Sequence, residues 1–164
     1  QSGGMRARFS PRDGQLYVSG LKGWQTSGAK DGCLQRVRYT GATVAMPKSI
    51  NIHQNGIRVG FTEKLDQELA EDPDSWQLEQ WNYRWTSKYG SKEYKVSNPE
   101  QTGHDPVEVT SAKLLANGKE VFLTIPNLAP VMQMKIHFDL ETADGNEMIG
   151  DLHSTIHALA KPLK

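Results

Sequence analysis

The stretch VMQMKIHFDLET, Val131 to Thr142, alternates apolar and polar side chains along its length. Successive side chains of a β-strand point to opposite faces, so Met132, Met134, Ile136, Phe138 and Leu140 are expected on one buried face. Gln133, Lys135 and His137 fall on the other. The same period of two recurs upstream. KEVFLTI puts Val121, Leu123 and Ile125 on one face, and INIHQNGIRVGF puts Ile57, Val59 and Phe61 on one face after an Asn55-Gly56 turn signal. Further turn signals at Asp13-Gly14, Asn117-Gly118 and Asp144-Gly145 complete the punctuation of an antiparallel all-β protein.

From Val44 onward, about six to eight short strands at turn-punctuated spacing predict an immunoglobulin-like antiparallel β-sandwich over residues 44–164, with a small barrel as the competing all-β architecture. The paired cysteines flanking a Trp in antibody domains are missing, because Cys33 is the only cysteine. One short helix is expected in LDQELAED, where Asp66 can cap it and Leu65 and Leu69 lie four apart. TSGAKDG at 26–32 and SNPEQTGHDP at 97–106 combine Gly, Pro, Ser and Asn and read as surface loops.

Residues 1–43 have a different character. RFSPRDGQLYVSG, Arg8 to Gly20, reads as a hairpin around a Pro-x-Asp-Gly turn and has the look of half a propeller blade. A propeller closes on about four to eight four-stranded blades, yet no second copy recurs at a period of roughly 40 to 50 residues. An isolated two-stranded hairpin is marginal in water, so residues 1–43 are expected to pack on the sandwich or on a partner. The opening QSGGM, without an initiator Met, reads as a processed, excised or engineered start to a piece of something larger.

The 164 residues carry 19 basic and 19 acidic side chains, 37% hydrophobic and 23% charged, which suits one principal globular domain. Zero net charge disfavours nucleic acid and anionic membrane as partners, since both call for a basic surface. No apolar run reaches the roughly 18 residues of a helical membrane span. A lone cysteine permits neither an internal disulfide nor a thiolate-rich zinc cluster.

Four groups of residues bear on function. WQLEQWNYRW places Trp81, Tyr83 and Trp85 on one strand face and Trp76 with Leu78 on the other. Either a bulge switches the register near Gln80, or one group is core and the other displayed. Displayed, Trp81, Tyr83 and Trp85 could stack on sugar rings along about 14 Å, with Asn82, Arg84 and Tyr89 adding polar contacts; buried, they are core. Met132, Met134, His137, His153 and His157 suit copper by ligand type, but strand parity sends the methionines to the core face and His137 away from it. His153 and His157 would share a helix face, or sit about 13 Å apart on a last strand, too far for one ion. His104 and Asp105 sit together in a loop without a Gly-x-Ser-x-Gly elbow, and a sequence-adjacent pair suits loop ordering better than a catalytic triad. Asp66, Glu68, Glu71, Asp72 and Asp74 lack the spacing of an EF-hand and read as a solvated helix end. No catalytic residue and no metal site is assigned.

RFSPRDGQLYVSGLKGWQ, DGCLQRVRYTG, GIRVGFTEKLD, WNYRWTSKYGS, GHDPVEV and LAPVMQM together resemble the C-terminal part of large secreted bacterial proteins. In these, a six-bladed propeller similar to quinoprotein glucose and sorbosone dehydrogenases precedes an immunoglobulin-like domain, often with a c-type cytochrome appended. The resemblance implies that residues 1–43 are a closing blade and exit strand, that residues 44–164 are the domain after it, and that the chain is secreted or periplasmic. It implies a non-catalytic module whose partner, through residues 1–43, is a propeller domain or chain. A carbohydrate-binding module using the aromatic strip, or a copper-binding or electron-transfer domain, are the alternatives. Pyrroloquinoline quinone, Ca²⁺ and haem c would belong to the parent protein. Cys33 is followed by Leu34 and Gln35, so this chain has no Cys-x-x-Cys-His.

Overall fold

The computed structural model describes residues 2–23, 27–28 and 30–163, and separates into two compact units, 1–43 and 44–164. The loop expected over 26–32 falls partly on Thr26 and Ala29, outside the described residues. The fold is nearly all β with antiparallel sheets.

In the first unit, β1 (Gly3–Phe9), β2 (Leu16–Leu21) and β3 (Gly32–Val37) form a three-stranded sheet in that order. Asp13 closes the β1–β2 turn, accepting from Gln15 N at 3.1 Å and Tyr17 Oη at 2.9 Å. Registers align Phe9, Leu16 and Val37 on one face with Ala7 and Val18, and Arg8, Tyr17 and Arg36 on the other with Arg6. The first face is mainly apolar, with Gln35 beside Val18, and the second mainly basic, with Leu34 beside Ser19. Phe9 is 74% exposed and Val37 47%.

The second unit is a sandwich. Its first sheet runs β4 (Pro47–His53), β5 (Gly56–Phe61), β10 (Glu120–Thr124), β9 (Ser111–Leu114). Its second runs β12 (Glu147–Ile156), β11 (Val131–Glu141), β6 (Trp76–Tyr83), with β7 (Glu93–Tyr94) and β8 (Asp105–Val107) both pairing with β6. Ile57, Val59, Val121 and Leu123 from the first sheet and Met134, Ile136, Phe138 and Leu140 from the second belong to one buried cluster. An aromatic group tightens it: Phe61 meets Phe138 edge-on at 5.6 Å between centroids, and Trp76 lies 6.4 Å from Phe138. Trp76 also donates from Nε1 to Ala70 O at 3.2 Å, so the indole is satisfied as well as buried. Gly150 sits opposite Phe138, where a Cβ would come within 2.9 Å of the ring, so the small residue makes room for the large one.

The helix forms as expected. Asp66 caps α1 (Gln67–Glu71) by accepting from Leu69 N at 3.0 Å, and a 3-10 turn over Pro73–Ser75 leads into β6. Asp72 caps that turn through Asp74 N, and Glu71 accepts from Leu114 N at 3.1 Å, which gives part of this acidic group structural partners. At Gly56, φ is 155° and a Cβ would lie 2.0 Å from Leu123 O, so the close approach of β10 admits only glycine. Residues 160–163 run back along the end of β4: Ala160 exchanges backbone bonds with Ile52 and Gln54, and Asn55 bonds both ways with Leu163.

Met132 departs from the expected core face. The register shifts between Val131 and Met134, so Val131 turns inward and Met132 is 49% exposed. Its sulfur accepts from Tyr83 N at 3.1 Å, and its own N–H donates to Asn82 Oδ1 at 2.9 Å. His153 lies within β12 and His157 just beyond it, so this segment is a last strand rather than a helix. Among the described residues, no helix is long and apolar enough to cross a membrane.

Candidate functional site

The outward face of the β12–β11–β6 sheet concentrates the ionisable side chains. Its rungs align Gln77 with His137 and Asp151, and Glu79 with Lys135 and His153, while Trp81 follows on the same face of β6. The β6–β11 ladder is unbroken from Trp76 to Trp81, so no bulge in β6 moves the aromatic load across the sheet. Trp76 and Leu78 belong to the core; Trp81 points the other way and is still only 4% exposed. His104 covers it, stacked at 3.9 Å and 12° from parallel, and His153 closes one side edge-on at 6.3 Å. Trp81 Nε1 donates to Tyr83 Oη at 3.0 Å.

His104 is the hub. Its Nδ1 lies 2.9 Å from Glu79 Oε2 and its Nε2 2.6 Å from Glu93 Oε2, tying the loop before β8 to β6 and β7. Burial pushes the imidazole pKa down, but the two carboxylates outweigh it and hold the value above the usual histidine range. Glu79 continues to Lys135 at 3.7 Å, Lys135 to Asp151 at 3.5 Å, and Asp151 to His137 Nδ1 at 2.8 Å. The hydrogen bond from His137, with Lys135 beside it, lowers the Asp151 pKa. Negative and potentially positive groups thus alternate from Glu93 to His137. A shallow cavity of about 530 Å³ opens over this row, lined by Gln77, Glu79, His104, Pro106, Lys135 and His137. Its lining offers no hydroxyl or thiol nucleophile, and its one carboxylate, Glu79, is paired with His104 and Lys135.

His104 and Asp105 do not act as a pair. Asp105 turns to Ser97, accepting from its N and Oγ at 2.7 Å each. Burial raises its pKa, yet these hydrogen bonds prevail and keep it low. The other aromatic residues separate from Trp81: Tyr83 ends β6, whereas Trp85 and Tyr89 stand on the loop that follows, 102% and 108% exposed. Asn82 and Arg84 are occupied structurally, Asn82 by Met132 N and Arg84 by Glu100 at 2.5 Å, by Pro99 O and by the Tyr94 ring at 4.4 Å. His137, His153 and His157 do not converge, and among the described residues no group of three or more His, Cys, Asp or Glu is arranged to hold a metal ion. The row centred on His104 escapes a reading of sequence alone, because it joins Glu79, Glu93 and Lys135 from three strands. The 24 residues between Glu79 and His104 carry no local signature of it.

No family model, no curated protein and no solved structure matches this chain.

Proposed function

We propose that the chain is a non-catalytic interaction and structural module of a secreted, propeller-containing oxidoreductase-like protein, with an immunoglobulin-like sandwich following blade-like strands. One observation carries this reading. The sheet of β1, β2 and β3 presents Phe9, Leu16, Val18 and Val37 on a single face, and none of its described residues is buried. Strand alternation produces an apolar face, and such a face is stable when a second layer covers it. A neighbouring blade of a propeller, itself a sheet with an apolar face, would be such a layer. The basic face, with Arg6, Arg8 and Arg36, would remain in water. The sandwich supplies a folded support with a continuous core of its own, and the paired charges on its outward sheet face suit stability rather than turnover.

The test is the polypeptide encoded in frame upstream of Gln1, expressed together with this chain. Blade repeats upstream, with slowed amide exchange across β1, β2 and β3 in the longer protein, are expected. An upstream region without blades, or exchange as fast as in the 164-residue chain, would overturn the reading.

A further inference from the structure

After β6 the chain enters RWTSKYGSK, Arg84 to Lys92, before β7 begins. The base of this loop is fastened. Arg84 N donates to Ser91 Oγ at 2.9 Å, Ser91 Oγ to Lys92 O at 2.7 Å, and the Arg84 guanidinium lies over Tyr94 while bonding Glu100. Between these anchors Trp85 and Tyr89 project fully into solvent. Isolated exposed apolar residues are ordinary on a protein surface. Two large aromatics four residues apart on one fastened loop are a different matter, because each can cover about 150–250 Å² of a ligand with few torsions to restrict.

Within the loop itself the charge is one-sided, with Glu93 just after it tied to His104 and Glu100 tied to Arg84. No Asp or Glu occurs from Trp81 through Lys92, and Lys88 and Lys92 are exposed and take part in no ion pair among the described residues. The loop curves around a concavity of about 620 Å³ lined by Tyr89, Lys88 and Lys92, where Ser87 offers a hydroxyl; Thr86 and Ser91 bond within the loop, and Trp85 stands outside that lining. It has no Leu, Ile, Val, Met or Phe to enter a lipid acyl region. Planar aromatic faces suit the C–H faces of sugar rings, hydroxyls suit their polar edges, and unpaired lysines suit regularly spaced anions.

We infer that loop 84–92 is a binding site for an anionic polysaccharide, with Trp85 and Tyr89 stacking on sugar rings and Lys88 and Lys92 meeting the carboxylate or sulfate groups. This goes beyond the docking role proposed for β1, β2 and β3 and does not depend on it. It also relocates the sugar-binding surface from the Trp81–Trp85 strip to the loop, since Trp81 lies beneath His104.

The experiment is calorimetry and affinity electrophoresis of the full chain with polygalacturonate, dextran sulfate and neutral dextran, together with vesicles containing phosphatidylglycerol. Binding of polygalacturonate or dextran sulfate, and not of neutral dextran, is expected, and whichever of the two binds identifies carboxylate or sulfate as the anion. The double variant Trp85→Ala/Tyr89→Ala should bind at least about tenfold more weakly. Lys88→Gln/Lys92→Gln should weaken binding and flatten its dependence on salt. Both variants should melt with the parent, because none of these side chains belongs to the core cluster. Failure to bind either anionic polymer, binding to vesicles alone, or affinity indifferent to the aromatic substitutions would each overturn the assignment.

Discussion

Two sheets in this molecule are made by the same rule and end differently. In β11, alternation sends Met134, Ile136, Phe138 and Leu140 inward against β5 and β10, and all four are buried. In β1 and β2 alternation is nearly as regular, yet Phe9 stays exposed and the whole first unit has no buried residue among those described. Alternation therefore specifies a strand and its faces, while burial comes from a second layer. The sandwich has that layer in its own chain. The three-stranded sheet has a pattern fit for one.

Truncation of core aromatics should widen the contrast most. Trp76→Ala is expected to cost about 3–5 kcal/mol in denaturant unfolding, because it empties the group with Phe61 and Phe138 and frees the Ala70 carbonyl. Phe9→Ala in β1 should shift the same transition by less than about 0.5 kcal/mol. A comparable loss from both would mean that Phe9 is covered in solution. Within β11, Met134→Ala should cost about 2–5 kcal/mol and Met132→Ala under about 1, a difference that measures the bulge directly. Equal values would return Met132 to the core face. Asp66→Ala, which removes the cap of α1, should cost about 1 kcal/mol and leave β-sheet circular dichroism intact.

The outward face adds a pH term. His104 has a raised pKa in the folded protein, so its contribution to stability is full below the ordinary histidine value of about 6.5 and fades as pH rises through the folded value. Melting temperature should fall over that interval, with a matching change in Trp81 fluorescence as the stacked imidazole loses its second N–H bond. His104→Gln should abolish this pH dependence, and persistence of the slope in the variant would assign it to another group. Deleting residues 1–43 is expected to leave the unfolding of the sandwich cooperative. The entire core cluster lies in 44–164, so the fragment should keep a single cooperative transition within a few degrees of the parent.

Where local rules set the outcome, the sequence was readable. The alternating strands, the turns at Gly14, Gly56, Gly118 and Gly145, and the Asp66 cap each follow from a few neighbouring residues. Met132 escapes the alternation because a bulge adds one residue without any mark in composition. Trp81 was ambiguous for a related reason: parity assigned its face correctly, but whether that face is open depends on His104, which arrives from a loop 23 positions later. The charge row is less legible still, being assembled from β6, β7, β11, β12 and that loop, with no spacing in any one segment to announce it.

The return of residues 160–163 along β4 has a consequence for how the sandwich behaves in company. An edge strand carries free N–H and C=O groups that can act as a template for another chain's strand. Ala160 occupies those of Ile52 and Gln54, and the Lys161 carbonyl takes the His53 ring nitrogen at 2.9 Å. The last described residues thus act as a stopper on one end of β4, and trimming them would expose a hairpin edge to intermolecular pairing and aggregation.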